Sequence, residues 1–176
     1  FTVVGVLIII GLIINMFGVD CDDVIIGFEY KEMPKLQPIA IPTAGKGFWG
    51  AIWMWLIGTR NWIVAEDWTF RIEGDWYVIP AGFTFDGASI PKFLHTWLSP
   101  TGVLLMGGLV HDFAYKYETL LKKNKKKTIG NITQKKADLI FRDINIEQNG
   151  FHLLNKLAYW ALRIGGFVAW NKHRKV

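Results

Sequence analysis

A chain of 176 residues suits one domain plus an appendage and can bury a real core. Its 51% hydrophobic share and nine Trp are high for a soluble domain and imply surface that meets lipid or a protein partner. The net charge of +5 comes largely from the lysines of residues 122–127, which read as a solvated loop rather than a nucleic-acid surface, and the lone Cys21 excludes a disulfide framework and a zinc-ligand set.

Residues 1–19 are apolar almost throughout, interrupted only by Thr2 and Asn15. At 1.5 Å per residue this is about the minimum for crossing a hydrocarbon core of ~30 Å, so the stretch reads as an N-terminal transmembrane anchor. The apolar part of a signal peptide and a buried core helix are the alternatives. Asp20, Asp22 and Asp23 end the run, and a flank without Lys or Arg favours a membrane-anchored chain whose domain is non-cytoplasmic. Residues 20–61 read as an irregular linker, because Pro34, Pro38 and Pro42 prevent a long helix. The aromatics of residues 47–62, Phe48, Trp49, Trp53 and Trp55 among them, fit a segment lying on a bilayer or a helix packed on the core.

Residues 62–176 form the domain. Residues 62–71 and 76–79 are rich in β-branched and aromatic side chains around Glu73-Gly74-Asp75, the pattern of a β-hairpin, which Pro80-Ala81-Gly82 ends. A long helix is predicted over residues 104–121, where Gly107-Gly108 permits close approach by another element. Thr133 N-caps a second helix that reaches Gln148 and stops at Asn149-Gly150. A third helix covers residues 151–170, broken or bent at Gly165-Gly166. The fold class is α+β and mainly helical: a transmembrane helix, one β-hairpin, an antiparallel helix pair and a C-terminal helix.

Three motifs stand in order: Asp86-Gly87-Ala88-Ser89-Ile90-Pro91, His111-Asp112-Phe113-Ala114-Tyr115, and Ala137-Asp138-Leu139-Ile140-Phe141. On a helix, His111 and Tyr115 share a face. Their apolar surroundings bury the His-Asp couple, at a cost that partners or a metal must offset. Antiparallel packing of the two helices lets Asp138 reach the His111 imidazole, fixing its tautomer and leaving the other nitrogen to take a proton from water. Asp112, with Asp86 and loop carbonyls, offers the hard oxygen ligands that suit Ca²⁺. Such an ion would polarise a carbonyl, and the combination amounts to metal-assisted ester hydrolysis.

The alternative is structural: His111 and Asp112 as a satisfied buried pair, Asp86 capping a turn and Asp138 bonding nearby backbone. Other candidates are weaker. Acidic neighbours raise the pKa of Cys21, His95, His152 and His173 lack ligand spacing, and Ser89 lacks the nucleophile-elbow glycines. Asp143 reads as an exposed helix residue or a spare carboxylate near the dyad.

The motif His111-Asp112-Phe113-Ala114-Tyr115 resembles the helix motif of secreted phospholipases A(2), and Asp138 resembles the second half of their His-Asp dyad. The prokaryotic and fungal branch also has an Asp-Gly-Cys-Ser-type loop ending in Pro, similar to residues 86–91 here. That resemblance implies a phospholipase-like domain with His111 as general base, Asp138 as its orienting partner and Tyr115 as a support. It also implies Ca²⁺ bound by Asp86 and Asp112, with the Gly87 carbonyl as a further ligand. The family's disulfides have no counterpart, since Ala88 stands where that loop has cysteine. The stretch from Trp62 to Trp170 further resembles a small phage and bacterial family recorded as a domain of unknown function, whose pattern runs Pro-x-Gly-Phe-x-x-Asp-Gly-Ala-Ser-x-Pro, His-Asp, Ala-Asp-x-x-Phe.

The leading expectation is therefore a phage-associated, membrane-anchored, calcium-dependent ester hydrolase acting at a lipid bilayer, placed in a virion or host envelope. A non-catalytic membrane or virion protein that uses the fold as a scaffold, alone or self-assembled, is the second reading. A cell-wall hydrolase is the third. The lipase requires His111 within reach of Asp138 and an open apolar channel, the scaffold a closed pocket, and the cell-wall enzyme a polar groove.

Overall fold

The computed structural model describes residues 5–6, 27–40, 45–57, 61–85, 104–123 and 128–172. The proline-rich stretch is extended and pairs as two short strands, β1 (Glu29–Tyr30) and β2 (Leu36–Pro38). Helix α1 (Phe48–Ile57) follows, then β3 (Trp62–Val64), β4 (Trp68–Ile72), β5 (Asp75–Ile79) and β6 (Thr84–Phe85). The second half holds α2 (Leu105–Tyr117), β7 (Leu120–Lys122), β8 (Thr128–Ile129), α3 (Gln134–Asn149) and α4 (His152–Lys172). The strands make two antiparallel sheets, one in the order β1-β4-β5-β7-β8 and the other β2-β3-β6.

The expected hairpin forms between β4 and β5, with Trp68 opposite Ile79 and Ile72 opposite Asp75. Its two loop residues, Glu73 and Gly74, both have positive φ (50° and 85°). This is the turn whose twist matches a two-residue hairpin, and glycine supplies the second position without steric cost. Along β4 the apolar residues recur every second position, so Trp68, Phe70 and Ile72 are buried while Thr69 and Arg71 alternate with them. β3, expected in the same hairpin, instead joins the smaller sheet, where it lies between β2 (Leu36 opposite Val64) and β6 (Trp62 opposite Phe85).

Two helix ends follow local chemistry and one does not. Thr133 Oγ1 accepts from the Lys136 N–H at 3.3 Å, and Gly150 closes α3 in a left-handed conformation at φ 66°. α2 stops at Tyr117 rather than at 121, because Glu118 turns left-handed (φ 54°) and the next residues pair with β5, Leu121 opposite Val78. α4 runs through Gly165-Gly166 as one helix.

The fold is α+β, but two expectations are corrected. No helix among the described residues is long and apolar enough to cross a membrane, so the expected N-terminal transmembrane helix is not among the elements described. Of residues 1–19 only Gly5 and Val6 are described. A single hairpin also understates the β content, because two sheets stand where one ribbon was expected.

The main core lies between the sheets and α2: Phe70, Ile79 and Phe83 meet Leu109, Val110 and Phe113. Each such fully buried side chain contributes roughly 1.5–3 kcal/mol. A smaller cluster of Leu104, Phe141, Ala158 and Leu162 fills the space among the three long helices. These two layers fix α2 on both sides, and α2 carries the central histidine.

Candidate functional site

α2 and α3 touch in reverse sequence order. Tyr115 and His111 both meet Asp138, and Gly107 meets Asn145, which makes the pair antiparallel. Close approach depends on Gly107: a Cβ there would overlap the Asn145 side-chain amide, whose Oδ1 accepts from the Gly107 N–H at 3.3 Å. Phe141, one turn along α3 from Asp138, sets its edge against the His111 ring at 5.5 Å. The imidazole is therefore held by packing as well as by polar bonds.

Asp138 is the hub. Its Oδ1 accepts from Tyr115 Oη at 2.6 Å and lies 2.8 Å from His111 Nε2. Its Oδ2 accepts from Arg163 Nη1 on α4 at 2.8 Å. The carboxylate is 0% exposed and the imidazole 1%, so these partners are what make the burial tolerable. The other ring nitrogen, Nδ1, has a longer contact of 3.5 Å with Asp112 Oδ1.

The electrostatics follow from this arrangement. Burial raises the Asp138 carboxyl, but hydrogen bonds from His111, Tyr115 and Arg163 outweigh it and hold the group below the usual carboxylate range. Burial lowers the His111 imidazole, yet hydrogen bonds to Asp112 and Asp138 leave it above its ordinary value. The Tyr115 phenol is pushed far up, first by burial and then by its bond to Asp138, so it serves as a donor. Asp138 is thus an anion that fixes one edge of the imidazole, while the Nδ1 edge faces Asp112.

α4 completes the enclosure. Gly166 lets it pass over Tyr115, since a Cβ there would stand 2.6 Å from the phenol oxygen. Trp170 then sets its ring edge-on to Tyr115 at 5.0 Å. The sequence reading did not single out Arg163, although a lone charge in the apolar run Ala161-Leu162-Arg163-Ile164 is a signal that a partner lies elsewhere.

His111, Asp138 and Tyr115 are thus brought together and Asp112 adjoins them, whereas Asp86 and Gly87 lie outside the described residues, as do Cys21, Ser89, His95 and His173. Asp143, expected on the surface, is buried and accepts from Arg142 Nε at 2.6 Å. His152 sits half-buried at the start of α4. Of the expected calcium ligands the described residues supply only Asp112. Among them no group of three or more His, Cys, Asp or Glu side chains stands where it could hold a metal. Ca²⁺ takes six to eight oxygen ligands, and Asp112 is the one expected ligand that lies within the described residues.

Residues 62–162 match the family described as "Protein of unknown function (DUF1353)". No curated protein and no solved structure matches the chain.

Proposed function

The chain belongs to the DUF1353 family, and we propose, from the geometry around His111, that it is a phage-associated ester hydrolase of the phospholipase A(2) type, with His111 as general base. The observation that carries this reading is the double use of Asp138 Oδ1, which receives both His111 Nε2 at 2.8 Å and Tyr115 Oη at 2.6 Å. In the proposed reaction Nδ1 takes a proton from water as that water attacks the ester carbonyl. Ionised Asp138 stabilises the imidazolium that forms, and the proton passes to the departing alkoxide oxygen. Access is from the Asp112 side, where the carboxylate side chain is 12% exposed against 0% for Asp138.

A phospholipid surface is the proposed substrate. Phe48, Trp49 and Trp53 of α1 expose 73%, 78% and 63% of their surface, and exposed aromatics of this kind suit the boundary between water and acyl chains. Ca²⁺ held by Asp112, Asp86 and the Gly87 carbonyl remains part of the proposal.

The competing reading is a non-catalytic scaffold, and the 1% exposure of His111 favours it, because a base must meet water. Hydrolysis of fluorescent phospholipid vesicles, with Ca²⁺ and with chelator, decides between them. The hydrolase releases fatty acid in a chelator-sensitive manner, and His111→Ala lowers the rate by about 10²–10⁴-fold. Correctly folded wild type that releases nothing at any calcium level leaves the scaffold.

A further inference from the structure

The geometry points to Arg163 as a positioning residue for the dyad: it holds Asp138 in the orientation and charge state in which the carboxylate can fix His111. The inference rests on the hydrolase reading for its catalytic meaning but has a readout of its own. Asp138 Oδ1 carries two partners, His111 and Tyr115, both from α2. The other oxygen, Oδ2, receives Arg163 Nη1 at 2.8 Å from α4. The three contacts therefore come from two helices and divide between the two carboxylate oxygens. Without Arg163, Oδ2 loses that charge-assisted bond in a site where Asp138 is fully buried. Such a carboxylate either takes up a proton or turns toward another donor. In both cases Oδ1 becomes a poorer acceptor for the imidazole.

Arg163 is well placed for this role. Its side chain is 29% exposed, so the guanidinium approaches Asp138 from the edge of α4 while part of it stays hydrated, which lowers the cost of keeping the charge. Gly166, one turn further along α4, lets the helix pass close over Tyr115 and brings Arg163 within reach. Tyr115 can only donate a hydrogen bond to the carboxylate. Arg163 is the partner that also supplies a full opposite charge.

The test uses the full chain labelled with ¹⁵N-histidine, observed at one fixed pH. The imidazole Nε2–H of His111, assigned by its loss in His111→Asn, should be slow to exchange in wild type. In Arg163→Gln its resonance should shift and its exchange quicken by about tenfold, the scale of one lost hydrogen bond. Arg163→Lys should restore much of the wild-type signal, because the ammonium returns the charge without the planar fork. Should the glutamine variant fail to fold, Arg163→Met takes its place, with the same shift and faster exchange expected. An unchanged resonance and exchange rate in a folded glutamine or methionine variant overturns the inference.

In vesicle hydrolysis Arg163→Gln should lower kcat on the order of 10- to 100-fold and leave KM unchanged. A moved resonance in a protein whose wild type hydrolyses nothing supports Arg163 as the residue that positions the dyad and removes only the enzymatic reading.

Discussion

α1 and α2 stand in contrast. α1 has no charged residue and still exposes Phe48, Trp49 and Trp53. α2 carries His111, Asp112 and Lys116, yet nine of its residues are buried, Met106 through His111 among them. Hydrophobicity alone would have assigned the burial the other way round. Two devices secure α2 that α1 lacks. Gly107 and Gly166 let α3 and α4 approach it closely, and Asp138 joins His111, Tyr115 and Arg163 across three helices. A helix is buried where neighbours can reach it and its polar groups find partners.

If the polar hub is what unites α2, α3 and α4, Asp138→Ala should cost the most. It strips three buried or half-buried donors of their acceptor, and denaturant unfolding should show a loss of about 3–5 kcal/mol. A loss below about 1 kcal/mol would mean that apolar packing alone holds the three helices together.

Gly107→Ala tests the close approach. The added methyl overlaps the Asn145 amide, which has no room to retreat because Asn145 is itself fully buried. The same unfolding experiment should give a cost of about 1–3 kcal/mol. Wild-type stability in this variant would show that the α2–α3 spacing is set elsewhere.

The smallest effect belongs to α1. Replacing Trp49 and Trp53 together with serine removes exposed side chains and should change stability by no more than about 0.5 kcal/mol, while binding to phospholipid vesicles falls. A large loss of stability instead would place α1 against the core and erase the contrast with α2.

The legible parts of this chain were those written within a few residues. Thr133 and Gly150 bound α3 because a cap is a contact between neighbours. Glu73-Gly74 made the hairpin because the turn's dihedrals are a property of those two residues. Strand β7 was not legible: Leu120-Leu121-Lys122 continues a helical pattern, and only pairing with β5 makes it a strand. The N-terminal span was inferred from composition, which records apolarity but not the element it builds.

The site divides in the same way. By itself the sequence determined that His111 and Tyr115 share a face and that an antiparallel neighbour could deliver Asp138, since a helix repeats every 3.6 residues. The tertiary structure alone decided that Arg163 occupies the second oxygen of Asp138, 25 residues away. It also decided that Gly107 admits Asn145 and that Asp143 lies buried. Those outcomes depend on how helices dock, and docking is set by the shape of whole surfaces rather than by any residue's near neighbours in the chain.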